Sequence, residues 1–294
     1  MKKLQTLWVT MALVTGLCAC DASQADKPGK KNKKDKKEKS QDAASSNVKV
    51  LDKWDLPNIL QEVSGIAYID ENRFACVQDE SGVIFIYNTN TNKIESDISF
   101  GATGDYEGIA LADKIAYVVR SDGKIFEVND ITTKSPQVKE YATALTAKND
   151  VEGITYDKKQ NRLLVAIKGN ETNNATFKGI YAFDLKSKKL SNNPVIKIDL
   201  NDSVFANAKA KKLRSRIQPS EIAVHPESGD IYVLEGSNPQ LLILDSGGAI
   251  KNRYKIKGPD FPQPEGMSFS PGGELFISNE GKKASGNILK VEIN

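Results

Sequence analysis

A short pattern recurs five times along the chain, and its spacing limits the possible fold more than any other feature. Asp150-Val151-Glu152-Gly153-Ile154-Thr155-Tyr156 has counterparts at Glu62-Val63-Ser64-Gly65-Ile66-Ala67-Tyr68, Asp105-Tyr106-Glu107-Gly108-Ile109-Ala110, Gln218-Pro219-Ser220-Glu221-Ile222-Ala223-Val224 and Gln263-Pro264-Glu265-Gly266-Met267-Ser268-Phe269. Counted at the position usually held by glycine, the copies are 43, 45, 68 and 45 residues apart. A period in the forties marks a propeller or another array of stacked units, because each unit is too small to bury its own apolar face.

Each copy opens a run of short strand-like segments parted by turn residues. In the first unit Gly65 to Ile69 leads through Asp70-Glu71-Asn72 to Phe74 to Gln78, then to Val83 to Tyr87 and Ile94 to Phe100. Four such segments joined by hairpin turns make one antiparallel meander. The second, third and fourth units repeat the pattern. The fifth supplies three strands before the chain stops at Asn294, and Val48 to Trp54 is the unassigned strand that would complete it. Closing the last unit with this N-terminal strand leaves no open edge at the joint. The expected fold is all-β: a five-bladed β-propeller of four-stranded antiparallel blades over residues 48–294. The alternative, a six-bladed ring, would need residues 201–217 and the end strands to make another blade, and their polarity argues against it. Residues 201–217 account for the 68-residue step and read as a short helix or ordered loop, either a basic lid over the axis or a tolerated surface insertion.

The N-terminus is of another kind. Met1-Lys2-Lys3, an apolar run from Leu4 to Leu17 and Leu17-Cys18-Ala19-Cys20 have the layout of a secretory signal. The last four residues resemble the bacterial lipobox, which implies cleavage after residue 19 and lipidation of Cys20; the alternative is a plain signal peptide with an incidental cysteine. Residues 20–47 carry few large apolar side chains, and the stretch 27–39 holds eight lysines against Asp35 and Glu38. Such a segment cannot bury enough surface to offset chain entropy and is expected to be a disordered tether, solvated or lying on anionic headgroups. The expected location is therefore the cell envelope, with the chain attached to a membrane through Cys20 and inner versus outer membrane left open. The formal charge of +3 comes from this tether, so the folded part lacks the basic face of a nucleic-acid binder. Cys76 is the single thiol beyond the signal region, so no internal disulfide is available to the folded part, which is expected to be monomeric.

In a propeller the first strand of each blade lines the axis, so the residues opening the five copies converge at one end. Here they are acidic. Glu107, Glu152 and Glu265 share one repeat position, with Ser64 and Ser220 in the other two blades, and Glu280 lies on a loop that opens onto the same face. Crowded carboxylates stay ionised only if a cation or a basic side chain offsets them. Oxygen-only donors suit a hard cation, and calcium tolerates irregular geometry better than magnesium. The expectation is a Ca2+ site at Glu107, Glu152, Glu265 and Glu280, with Lys168, Arg120 and Glu235 around it as ligand-binding residues. The competing reading gives the glutamates only a turn-capping role.

Val151-Glu152-Gly153-Ile154-Thr155-Tyr156, Pro219 to Pro226 followed by Gly229 to Leu234, and Gln263-Pro264-Glu265-Gly266-Met267 together resemble the SdiA-regulated family of bacterial envelope proteins over about residues 48 to 294. The resemblance implies a five-bladed propeller distantly similar to NHL-repeat propellers, with a calcium site and no established activity; it implies no DNA binding. Two functions follow as expectations. The first is a lipid-anchored binding or scaffold module whose motif face receives an unknown protein or small molecule. The second is a calcium-dependent hydrolase of the lactonase, esterase or phytase kind, in which the ion polarises a carbonyl or phosphoryl oxygen. Whether the chain is an enzyme stays open, since His225, the only histidine, falls in a turn on the face away from the motifs. Cys76 lies within a strand, where a thiol is ordinarily packing.

Overall fold

Arg73–Gln78 and Arg162–Ile167 are continuously apolar between Phe74 and Val77 and from Leu163 to Ile167, which suits a strand covered on both faces. The computed structural model, which describes residues 47–171, 174, 176–206, 210 and 212–294, shows what covers them. The expected signal peptide, Cys20 and the expected tether up to residue 46 lie outside the described residues.

The first strand, β1 (Val48–Asp55), precedes the first motif. Blade one is β2 (Val63–Asp70), β3 (Arg73–Gln78), β4 (Val83–Asn88) and β5 (Lys93–Ser99). Blade two is β6 (Tyr106–Ala112), β7 (Ile115–Arg120), β8 (Ile125–Asn129) and β9 (Gln137–Tyr141). Blade three is β10 (Val151–Asp157), β11 (Arg162–Ile167) and β12 (Phe177–Asp184), whose outer neighbour is split into β13 (Lys189–Leu190) and β14 (Ile196–Asp199). Blade four is β15 (Glu221–Val224), β16 (Ile231–Glu235), β17 (Gln240–Leu244) and β18 (Ile250–Lys255). Blade five has β19 (Pro264–Phe269), β20 (Leu275–Asn279) and β21 (Asn287–Ile293), and β1 pairs antiparallel with β21 from Val48 opposite Ile293 to Asp55 opposite Asn287. The ring is thus closed by the N-terminal strand, giving a five-bladed propeller of antiparallel sheets.

Because side chains alternate across a strand, each blade sends one set of residues to each neighbour. Ala75 and Val77 of β3 join Ile109, Val118 and Phe126 of blade two, whereas Phe74 and Cys76 of the same strand join Phe276 and Ile288 of blade five. Five apolar clusters result, one at each blade junction. Cys76 is fully buried in one of them and burial pushes its thiol up, so it is packing and not a nucleophile. The described residues from 47 onward form one compact unit carrying all five clusters.

The long step between blades three and four is a clasp over a junction. Two short 3-10 turns, Ser203–Phe205 and Leu213–Ser215, bring Phe205 and Ile217 into the cluster between those blades, both fully buried. Arg216 donates to the Leu200 carbonyl at 2.7 Å, and Gln240 Nε2 donates to the Arg216 carbonyl at 3.0 Å. None of its described residues lines the axial cavity beside the motifs.

At the axis the five inner strands approach so closely that four of them need glycine. A Cβ on Gly65 would stand 2.8 Å from Gly108 Cα, one on Gly108 would stand 2.7 Å from the Glu152 carbonyl oxygen, and one on Gly153 would stand 2.9 Å from Ile222 N. These are backbone contacts that cannot yield without spreading the ring. Gly108→Ala is expected to lower stability by about 1–3 kcal/mol in urea unfolding. Gly272→Ala, where the nearest atom is Ser270 Oγ at 3.8 Å, is expected to stay within about 0.5 kcal/mol of the parent.

Candidate functional site

The motif glutamates are aimed at the axis by a local irregularity in the sheet. Pairing between the inner strand and its neighbour skips one residue at the same point in four blades, passing over Ser64, Glu107, Glu152 and Glu265. A β-bulge of this kind leaves the extra residue out of the ladder and turns its side chain away from the sheet faces. In blade four Ser220 N–H donates to the Leu234 carbonyl at 2.8 Å while Glu221 also faces Leu234, so two residues oppose one there too. Glutamate in the bulge rather than an apolar residue makes the axis acidic at this end.

The result is a cavity of about 160 Å³ lined by seven carboxylates, Glu62, Asp79, Asp105, Glu107, Glu152, Glu265 and Glu280, with Lys168 as its one basic side chain. Val63, Ser64 and Gln263 complete the wall. Lys168 follows β11, and its backbone N–H donates to the Asp150 carbonyl at 2.7 Å. Its ammonium reaches Glu152 Oε1 at 3.0 Å. Blades five and one are tied at the rim, where Gly281 N–H donates to the Gln61 carbonyl at 2.8 Å, and within blade five Glu280 N–H donates to the Gln263 carbonyl at 2.9 Å.

Burial governs the charge of this wall. Glu107 is pushed up to about 10, first by loss of water and then by Glu152 and Asp105. Glu152 is pushed up to about 8 by burial, less far because the Lys168 ammonium offsets part of the cost. Burial also raises Glu265 and Glu280, and Asp79 reaches about 6 through burial followed by Glu62 and Glu80. Burial alone would lower Lys168, but Glu152, Glu265 and Asp150 outweigh it and hold the ammonium above its ordinary value. One side-chain cation therefore sits among acids too crowded to ionise together.

Below this ring lies Glu221, which reasoning from the sequence did not assign to the site. It occupies the position that is glycine in the other four blades, and it is fully buried. Its Oε1 accepts from Ile154 N–H at 2.8 Å and from Ile222 N–H at 2.9 Å. Oε2 has no hydrogen-bond partner and lies 3.4 Å from where a Cβ on Gly108 would stand. The side chain thus crosses the axis into the space the glycines leave, and burial raises its pKa well above the ordinary range. The signal was present in the repeat itself, as the one non-glycine residue at that position.

Of the residues expected at the site, Glu107, Glu152, Glu265, Glu280 and Lys168 line one cavity. Arg120 and Glu235 do not. Arg120 is held by Asp122, with Nη2 at 2.7 Å from Oδ2 and Nε at 3.0 Å from Oδ1, and it lies over the Phe126 ring. Glu235 is buried at the junction under the clasp, where Gln240 Nε2 donates to it. His225 stands in the turn after β15 with its ring against Tyr232 and Phe269.

The fit to a calcium ion has two sides. The donor set is all oxygen and strongly acidic, as a hard cation requires. The carboxylates are spread around the wall, and among the described residues no three His, Cys, Asp or Glu side chains gather around one point at metal-binding distance. Lys168 instead engages the ring directly. The donors therefore fit in chemistry, and an ion would have to compete with an ammonium already in contact with Glu152.

The raised carboxylates make stability depend on pH in a definite direction. Burial holds Glu152 and Glu107 well above the ordinary carboxylate range in the folded chain, while the unfolded chain releases these protons near 4.5. Between the unfolded and folded values the folded state binds more protons, so stability falls as pH rises. The urea midpoint of residues 44–294 in chelator is expected to be lower at pH 8 than at pH 5.5. Glu107→Gln should flatten that decline, and an unchanged slope would show that Glu107 is ordinarily ionised.

Comparison with known proteins agrees with this architecture. The glutaminyl cyclase of Myxococcus xanthus superposes with a TM-score of 0.53 at 12% identity, over 83% of this chain and 95% of that one. A structural-genomics protein of unknown function from Bacteroides thetaiotaomicron gives a TM-score of 0.52 at 10% identity, over 83% of this chain and 76% of that one. At such identities the likeness is one of fold alone. A search of curated proteins finds no significant match. The SdiA-regulated family model matches residues 40–282, which takes in all five motif copies, and the chain belongs to the SdiA-regulated family.

Proposed function

We propose that this protein is a lipid-anchored binding module of the bacterial cell envelope whose acidic axial mouth takes up a hard divalent cation, calcium by donor chemistry. The observation that carries the reading is the imbalance of seven carboxylates against one ammonium around a single cavity. Burying that many acids together disfavours their ionisation, and a divalent ion relieves more of that cost than one lysine does. Glu107, Glu152, Glu265 and Glu280 would hold the ion, and Lys168 is its internal competitor. When bound, the ion supplies a fixed positive centre at the mouth, where an anionic group of a protein or small-molecule ligand would dock. The carboxylates lie on loops and inner strands of different blades, so a cation shared among them would also stiffen the ring.

Calorimetry on residues 44–294 should show saturable calcium binding that is lost in Glu107→Gln and in Glu152→Gln. Lys168→Met should bind calcium several-fold more tightly, because the competing ammonium is gone. No binding by either the parent or Lys168→Met would sink the proposal. Calcium-dependent turnover of lactones, aryl esters or phosphate esters, lost in the same glutamine variants, would replace the binding module with a hydrolase; Asp79, with one buried unpartnered oxygen in the same cavity, is the base such chemistry would use. For the anchor, Cys20→Ser in the full chain should move the protein from the membrane fraction to the soluble fraction, and retention on the membrane would remove Cys20 from the proposal.

A further inference from the structure

The other end of the axis has a different character. Past Glu221 the inner strands open into a second cavity of about 470 Å³, well within the range of about 300–1000 Å³ usual for small-molecule sites. Most of the side chains around it are apolar, among them Ile109 and Leu111 from blade two, Ile154 from blade three, and Met267 and Phe269 from blade five, and polar atoms are exposed alongside them. No Asp or Glu lines it, in contrast to the seven carboxylates of the mouth. Glu221 lines neither cavity, and its carboxylate is bonded to Ile154 N–H on the wall of the second one. The two ends are therefore separate chambers with opposite chemistry.

Polar groups in the second chamber are few and placed. Ser268 Oγ accepts from the Tyr68 N–H of the adjacent blade at 3.0 Å, which leaves its own proton to donate. Ser270 Oγ accepts from Glu274 N–H at 3.1 Å, and its own hydrogen bond goes to the Glu274 carboxylate, so it is already engaged. Lys158, in the turn after β10, is the one charged residue of the lining, and no ion pair involves it among the described residues. Lys158 is exposed at the edge of a chamber whose lining side chains are mostly apolar and include no Asp or Glu, and this pairing is complementary to an apolar molecule ending in a carboxylate.

We propose that this chamber binds a small amphiphilic carboxylate of the medium-chain acyl type, with its apolar body between the inner strands and its carboxylate at Lys158. The proposal is independent of any cation at the mouth. The probe is decanoate, kept below its micelle concentration, titrated into residues 44–294 by calorimetry. Saturable binding is expected, with octanoate weaker on the order of tenfold because two methylenes fewer are buried. Lys158→Gln should weaken decanoate about tenfold and leave decanol unchanged. Thr155→Trp, which places a large ring on the chamber wall, should abolish both while the urea midpoint holds. Absence of saturable decanoate binding would overturn the proposal, as would decanoate affinity that ignores the tryptophan variant. Equal binding of decanoate by the parent and Lys158→Gln would overturn the assignment of a carboxylate.

Discussion

The close approach of the five inner strands at the axis is the constraint on which the rest of the molecule depends. At Gly65, Gly108 and Gly153 a single Cβ would run into the backbone of the next blade. Four copies of the motif meet this with glycine, and the adjacent bulge then turns the preceding residue toward the axis. Ring closure and site construction are therefore one event. The residue that lets the blades meet sits next to the residue whose side chain the bulge delivers.

That coupling has an electrostatic consequence. A bulge repeated around a ring places like side chains in like positions, so an acidic choice in three blades becomes a cluster whose members repel one another. Lys168 offsets part of this at Glu152, and the rest appears as carboxyl groups whose affinity for protons is raised by burial and by one another. Such a ring is poorly balanced as it stands and responds to anything that brings positive charge to the mouth. Glu221 completes the arrangement from beneath, because the fourth blade places a carboxylate where its neighbours have hydrogen, and two backbone N–H groups on the inner edges receive it.

Much of this was readable in the sequence, and the reason is periodicity. The recurring motif marks every inner strand, and the missing fourth strand of the last unit points to Val48–Trp54, which does pair with the C-terminal strand. Glu107, Glu152 and Glu265 share a repeat position and therefore share a cavity. Arg120 and Glu235 were placed at the rim by topology, yet each is held elsewhere: Arg120 turns back onto Asp122, two residues away, and Glu235 accepts from Gln240, whose amide also donates to the Arg216 carbonyl. Repeat position fixes where a backbone goes, whereas the direction of a long side chain depends on which partner stands closest. Glu221 was passed over because its departure from the motif reads as a harmless variation until the axis is seen to be crowded.

By itself, then, the sequence determined the number of blades, their closure and the acidic character of one end of the axis, because these follow from repeat spacing and residue type at equivalent positions. Tertiary structure alone decided that Glu221 sits between the two ends of the axis, that Lys168 enters the acidic ring while Arg120 does not, and that no Asp or Glu lines the chamber at the opposite end. These depend on ångström-scale separations between blades distant in the chain, and no local pattern encodes those separations.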